Sequence, residues 1–115
     1  MRFGRRREAE VAAARFSGLG GLARVGEALY VADTFNHTVR RVDLRDFTVT
    51  TVVGAPGQAG LVDGPPQSAR LRSPQGLVAL PDALYSTSFD GVLRRITLPD
   101  LQVSTPLGRA DDARA

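Results

Sequence analysis

The chain has 115 residues, 43% of them hydrophobic, which fits one small globular domain and excludes a disordered chain. It contains no cysteine and one histidine, which excludes disulfides, thiolate metal centres and a metal centre built from several histidines. All fifteen basic residues are arginine against twelve acidic ones, the net charge of +3 is mild, and no run approaches the roughly 18 apolar residues of a membrane span.

Segment 1–13 is basic and Ala-rich. Its run Arg5-Arg6-Arg7 is followed by Glu8 and Glu10 and not by the apolar core of a secretory signal, so the expected location is cytoplasmic. A charged tail of this kind is expected to be solvated, with a nucleic-acid or anion contact as the alternative. From residue 14 the sequence repeats itself. At an offset of 55, Ala14-Arg15 matches Ala69-Arg70, Gly21-Leu22 matches Gly76-Leu77, and Ala28-Leu29-Tyr30 matches Ala83-Leu84-Tyr85. One residue is then lost, and at an offset of 54 Arg40-Arg41 matches Arg94-Arg95, Asp46 matches Asp100, and Val49, Thr51 and Gly54 match Val103, Thr105 and Gly108. Phe16 and Leu71, Val39 and Leu93, Val42 and Ile96, and Val53 and Leu107 keep their character. A fixed period of this length marks a repeat architecture.

Each copy reads as four short strands broken by turn residues. The first copy, 14–54, predicts strands over 20–25, 28–33, 37–43 and 47–53, with breaks at Gly26-Glu27, Thr34-Phe35-Asn36 and Arg45-Asp46. A Gly/Pro-rich connection over 55–69 follows. The second copy, 70–108, predicts strands over 75–80, 83–88, 92–97 and 101–107, with breaks at Pro81-Asp82, Phe89-Asp90-Gly91 and Pro99-Asp100. A tail over 109–115 closes the chain. The first two strands of a copy read as apolar on both faces, so a cover is expected on each side. The fourth, with threonine at alternate positions, reads as an outer edge. One four-stranded sheet alone is a poor core, so the connection is expected to join stacked sheets and not two independent domains.

The stretch Leu29-Tyr30-Val31-Ala32-Asp33-Thr34-Phe35-Asn36-His37-Thr38-Val39-Arg40-Arg41-Val42-Asp43-Leu44 resembles the signature of NHL repeats. So do Asp63-Gly64, Ala69-Arg70-Leu71 and Ser73-Pro74-Gln75-Gly76-Leu77. The whole is similar to bacterial NHL proteins and to the NHL portion of thioredoxin-like NHL-repeat proteins. The family's Asn-His-Leu triplet stands here as Asn36-His37-Thr38. In the second copy Asp90-Gly91-Val92 replaces the triplet and Ser88 replaces Asp33. The resemblance implies an all-β fold, two four-stranded antiparallel blades of a β-propeller, commonly six-bladed and used as a platform for protein, RNA or small ligands. A few such relatives are lyases or hydrolases whose metal ligands come from several blades. Propellers run to roughly 4–8 blades, so two make a partial ring, completed in a longer chain or by copies of this one, for example a homotrimer.

Antiparallel order brings loops 34–37 and 89–91 and the connection 54–74 to one end of the sheets, where binding residues are expected. That loop face offers Phe35, Asn36, His37, Arg70, Arg72, Phe89 and Asp90. Asp33 and Asn36 are expected to fix their turn through side chain-to-backbone hydrogen bonds. His37 is expected to be a turn residue. Arg40-Arg41 and Arg94-Arg95 recur at one position and are expected to be structural, with Asp43, Asp46 and Asp100 as partners. Phe35 and Phe89 are loop plugs or exposed anchors. No supported Ser–His–Asp arrangement and no glycine-rich phosphate loop is present, and Asp111-Asp112 lies in the tail. The expectation is a non-catalytic scaffold, with no cofactor and no metal, that binds a protein or peptide or further blades of its own type. A subunit or fragment of a lyase- or hydrolase-like propeller enzyme and an RNA-binding platform are the alternatives.

Overall fold

Eight strands follow one another in a computed structural model that describes residues 16, 18–88 and 90–110. They are β1 (Leu19–Val25), β2 (Ala28–Asp33), β3 (Thr38–Asp43), β4 (Val49–Val53), β5 (Pro74–Leu80), β6 (Ala83–Ser88), β7 (Leu93–Thr97) and β8 (Val103–Leu107). They form two four-stranded sheets, β1-β2-β3-β4 and β5-β6-β7-β8, with every neighbouring pair antiparallel. Among the described residues the only helical element is a 3-10 turn at Thr34–Asn36.

Predicted strands 28–33 and 83–88 coincide with β2 and β6. They begin just after the turns Gly26-Glu27 and Pro81-Asp82, which leave Val25 paired with Ala28 and Leu80 with Ala83. The fourth strands begin two residues later than predicted, for a backbone reason. Phe47 (φ 60°) and Leu101 (φ 61°) occupy the left-handed region. Each closes a turn: the Phe47 amide donates to Asp43 O at 2.6 Å and the Leu101 amide to Thr97 O at 2.7 Å. A side chain that looks like a strand residue thus sits in a turn, at equivalent positions of both copies. The first strands share an irregularity as well. Pairing breaks between Leu19 and Leu22 in β1 and between Pro74 and Leu77 in β5.

The sheets meet along β1 and β5. A Cβ on Gly20 would come within 2.5 Å of Gln75 O, and one on Gly21 within 2.6 Å of Leu77 N, so only glycine permits this backbone approach. One apolar core spans the junction: Ala23, Ala28, Tyr30, Val39 and Val53 of the first sheet, Leu77, Leu84, Ile96 and Val103 of the second, and Ala69 and Leu71 of the connection.

Burial corrects one expectation. β2 is buried or half-buried throughout, but β1 exposes Leu19 and Leu22, and β5 exposes Val78 and Leu80. Two sheets share a single interface, so the first strands are covered on one face only.

The Gly/Pro-rich connection is tied down throughout. Gly54 N donates to Pro66 O at 3.0 Å, Gly60 N to Leu71 O at 3.0 Å, and Val62 bridges Arg70. Gly64 exchanges two hydrogen bonds of 2.9 Å with Val103 at the outer edge of the second sheet. Leu61, Ala69 and Leu71 are buried beneath it. The clamp is Arg94, 2% exposed in β7. Its Nη1 donates to Arg70 O at 3.1 Å, and its Nη2 donates to Val62 O at 3.0 Å and to Asp63 Oδ1 at 3.1 Å. Thr105 Oγ1 donates to the same Asp63 oxygen at 2.7 Å. A guanidinium taken out of water needs such acceptors to offset its lost hydration.

Three of the repeated arginines make structural contacts with partners other than the expected ones, while Arg41 acts through its charge on the expected Asp43. Arg94 pairs with Asp63, Arg95 with Asp82 at 3.1 Å and with the Tyr85 hydroxyl at 3.1 Å, and Arg40 with Asp33 at 3.8 Å. Asp43 is taken by Arg45 at 3.1 Å, which holds its carboxyl at about 2, while Asp46 and Asp100 accept from Thr48 and Thr97 inside their own turns. The nearest contacts of these carboxylates are local because the turns following β3 and β7 use them.

Two outcomes follow for stability. Arg94→Ala is expected to lower the unfolding free energy by about 3 kcal/mol, because it removes the three charge-assisted hydrogen bonds that hold the connection. Arg45→Ala, which breaks an exposed pair, leaves the urea midpoint in place. Equal midpoints for the two variants in urea denaturation would show that Arg94 clamps nothing. Gly20→Ala is expected to cost about 2 kcal/mol by forcing β1 away from β5, and the exposed Gln58→Ala is the control. Wild-type stability of Gly20→Ala would refute the close approach.

Candidate functional site

The turn between β2 and β3 is built from five consecutive residues. His37 takes φ 61°, and its amide donates to Thr34 O at 3.2 Å to close the 3-10 turn. Asn36 Nδ2 donates to Asp33 Oδ2 at 3.0 Å, and the same buried carboxylate oxygen meets Arg40 Nη1 at 3.8 Å. Asp33 and Asn36 thus meet each other through a side-chain pair. The Asn36 carbonyl accepts from Gly57 N at 3.0 Å, which pins the connection to the turn.

His37 is a turn residue, as expected, with a second duty. Its Nδ1 accepts the Ser73 amide at 3.0 Å, so in the neutral ring Nε2 carries the hydrogen. Thr34 Oγ1 donates to Pro74 O at 2.8 Å. The two bonds tie the turn of the first sheet to the entry of β5 in the second.

Beside them lies an open recess of about 240 Å³, lined by Gly18, Leu19, Gly20, Thr34, Phe35 and Gln75. Phe35 is 68% exposed and Leu19 59%. The Phe35 ring lies on Gly18, where a Cβ would come within 2.2 Å of the ring. The floor is glycine backbone, the walls are apolar, and Gln75 also lines it. Leu19, Gly20, Thr34 and Gln75 were not among the sequence candidates. The glycines Gly18, Gly20 and Gly21 are the signal that marks this close-packed place.

The remaining candidates lie elsewhere. Arg70 Nη1 donates to Gln67 O at 2.9 Å and Ala69 O at 2.8 Å, so its head stabilises its own loop. Arg72 pairs with Asp90 at 3.7 Å, both half-exposed. Phe89 lies outside the described residues. The structure therefore unites Phe35, Asn36 and His37 around one turn and Arg72 with Asp90 at another. No cluster of three or more His, Asp or Glu suited to a metal ion occurs among the described residues. No helix among them is long and apolar enough to cross a membrane.

No family model matches the chain, and no curated protein matches it by sequence. Solved structures do match. An auxiliary nutrient binding protein from Bacteroides ovatus superposes with a TM-score of 0.70 at 23% identity, over 81% of this chain and 26% of its own. A candidate phosphatase from Bacteroides thetaiotaomicron superposes with a TM-score of 0.60 at 27% identity, over 73% of this chain and 21% of its own. These likenesses establish the arrangement of paired four-stranded sheets. The chain spans about a quarter of the length of the solved chains it resembles.

Asp90 offers a titration test of the second turn. The Ser88 hydroxyl, donating to its Oδ1, holds the carboxyl below the ordinary 3.8, with Arg72 adding a smaller pull. A depressed folded value stabilises the protein above the ordinary pKa, and that contribution is lost as pH falls through the folded one. Carboxyl carbon NMR is expected to give a midpoint below 3.8 that rises further in Ser88→Ala than in Arg72→Ala. The reverse order would make the ion pair the main cause.

Proposed function

We propose that the chain is a two-blade portion of an NHL-type β-propeller and works as a non-catalytic binding scaffold that presents its loop face to a protein or peptide. The fold side of this reading is supported by the β-meander order of both sheets, by turns and irregularities recurring at equivalent positions, and by the glycine-lined approach of β1 to β5. That approach is what two inner strands converging on a common axis require. The Asn36-His37 corner, with His37 holding the next repeat through Ser73, gives the signature residues a structural reason.

The observation that carries the binding side is the recess beside Phe35. An aromatic side chain two-thirds exposed, lying over a glycine floor, costs free energy in water and recovers it when a partner covers it. Leu19 and Phe35 suit an apolar or aromatic side chain of the partner. Hot spots of peptide recognition are built in this way, with one apolar anchor at the centre and polar groups at the rim.

Selection of displayed peptides against the purified chain tests the reading. Selected peptides are expected to carry an apolar or aromatic anchor. They are expected to lose about 2 kcal/mol, roughly thirtyfold in Kd, on Phe35→Ala, with the thermal midpoint unchanged. Peptides that bind wild type and Phe35→Ala equally, or a selection that yields none, would remove the loop face as the binding surface.

A further inference from the structure

The interface between the two sheets has two halves, and each sheet also carries the half it does not use. The first sheet meets the second with Ala23, Val25, Tyr30, Val39 and Val53, all packed in the shared core. The equivalent residues of the second sheet are Val78, Leu80, Tyr85, Leu93 and Leu107. They lie on the face turned away from the core. Val78 is 57% exposed, Leu80 49% and Leu107 63%, and Tyr85 and Leu93 are half-buried.

The reverse holds for the other half. The second sheet meets the first with Leu77, Leu84, Ile96 and Val103. Their equivalents Leu22, Leu29, Val42 and Val49 lie on the outer face of the first sheet, with Leu22 56% exposed and the other three half-buried. The polar neighbours repeat too: Arg41 flanks the formed interface, and Arg95 holds the same place on the outer face of the second sheet.

We infer that the outer face of the second sheet docks the outer face of the first sheet of a second copy of this chain, head to tail. The occupant is identified by residue class and position. Each molecule carries both complementary halves of an interface that its own sheets already form. Such a contact is heterologous, so copies close into a ring or extend as a chain according to the rotation per step. The large exposed apolar side chains otherwise left in water supply the driving force. This interaction is independent of the loop-face reading: Phe35→Ala is expected to leave it intact.

Light scattering on the purified chain, followed by a complementation experiment, provides the test. Wild type is expected at two or more times the 12.3 kDa chain mass. Val78→Asp spoils one half and Leu22→Asp the other. Each variant alone is expected to be a monomer with unchanged far-UV circular dichroism, its self-association weakened about a hundredfold by a carboxylate placed in an apolar contact. Mixed together, the two variants retain one intact half each and are expected to form a one-to-one dimer. Leu80→Asp and Thr51→Asp, at exposed positions of the same two faces, repeat the experiment should either variant lose its circular dichroism. A wild-type monomer overturns the inference. So does a variant that still self-associates alone, because that contact would join like faces, and so does a mixture that stays monomeric.

Discussion

A sheet has two faces, and a single neighbour dries only one of them. Almost everything in this molecule follows from how that constraint is met at the junction of β1 and β5 and left unmet elsewhere. Inside the junction, small residues bring the backbones together and larger ones fill the space around them. Gly20 and Gly21 remove the side chains that would hold the strands apart, and Tyr30, Leu77, Leu84 and Ile96 supply the volume. Outside it, the same residue classes stand in water on both outer faces. A hydrophobic surface that recurs in register with a buried one is a different thing from scattered exposed leucines, which any protein carries.

The second constraint is covalent. Consecutive sheets need a long connection, and an unsupported one would leave backbone groups unpaired over an apolar face. Here the chain uses a buried cation. Arg94 reaches from the centre of its sheet to two carbonyls and one carboxylate of the connection, and Gly64 is stitched to Val103 beside it. The lid so formed buries Leu61, Ala69 and Leu71, two of which belong to the core between the sheets. The electrostatic clamp and the hydrophobic contact are thus parts of one assembly: the guanidinium is dry because the lid covers it, and the lid is closed because the guanidinium holds it.

The strands were readable from sequence wherever burial and local chemistry agreed. Short strand-forming runs flanked by turn residues located β2 and β6 to the residue. The starts of β4 and β8 were not readable, because Phe47 and Leu101 are ordinary strand residues whose left-handed backbone is imposed by turns that also involve Asp43 and Thr97. The arginine roles were readable from repetition, since a position kept in both copies serves the fold. Their partners were not: Asp63 lies 31 residues from Arg94, and nothing in local spacing reports a contact made across a folded connection. The site shows the same division. Phe35, Asn36 and His37 stand in one visible turn, Gly18 and Leu19 reach it through the pairing of β1 with β2, and Gln75 joins them only because the sheets dock.

That last point sets what kind of site this is. The recess has one wall from the first sheet and one from the second, and the bonds beside it, Thr34 to Pro74 and Ser73 to His37, are the same bonds that fix the sheets' relative position. A site made by docking inherits the rigidity of the docked interface, which is the condition for recognition without a large ordering cost. It also inherits that interface's sensitivity. A substitution at Gly20 or Gly21, remote from any ligand in chemical terms, moves the recess walls apart as it moves the strands. In this fold the contacts that dock the sheets also set the recess walls, so the docking cannot shift without reshaping the site.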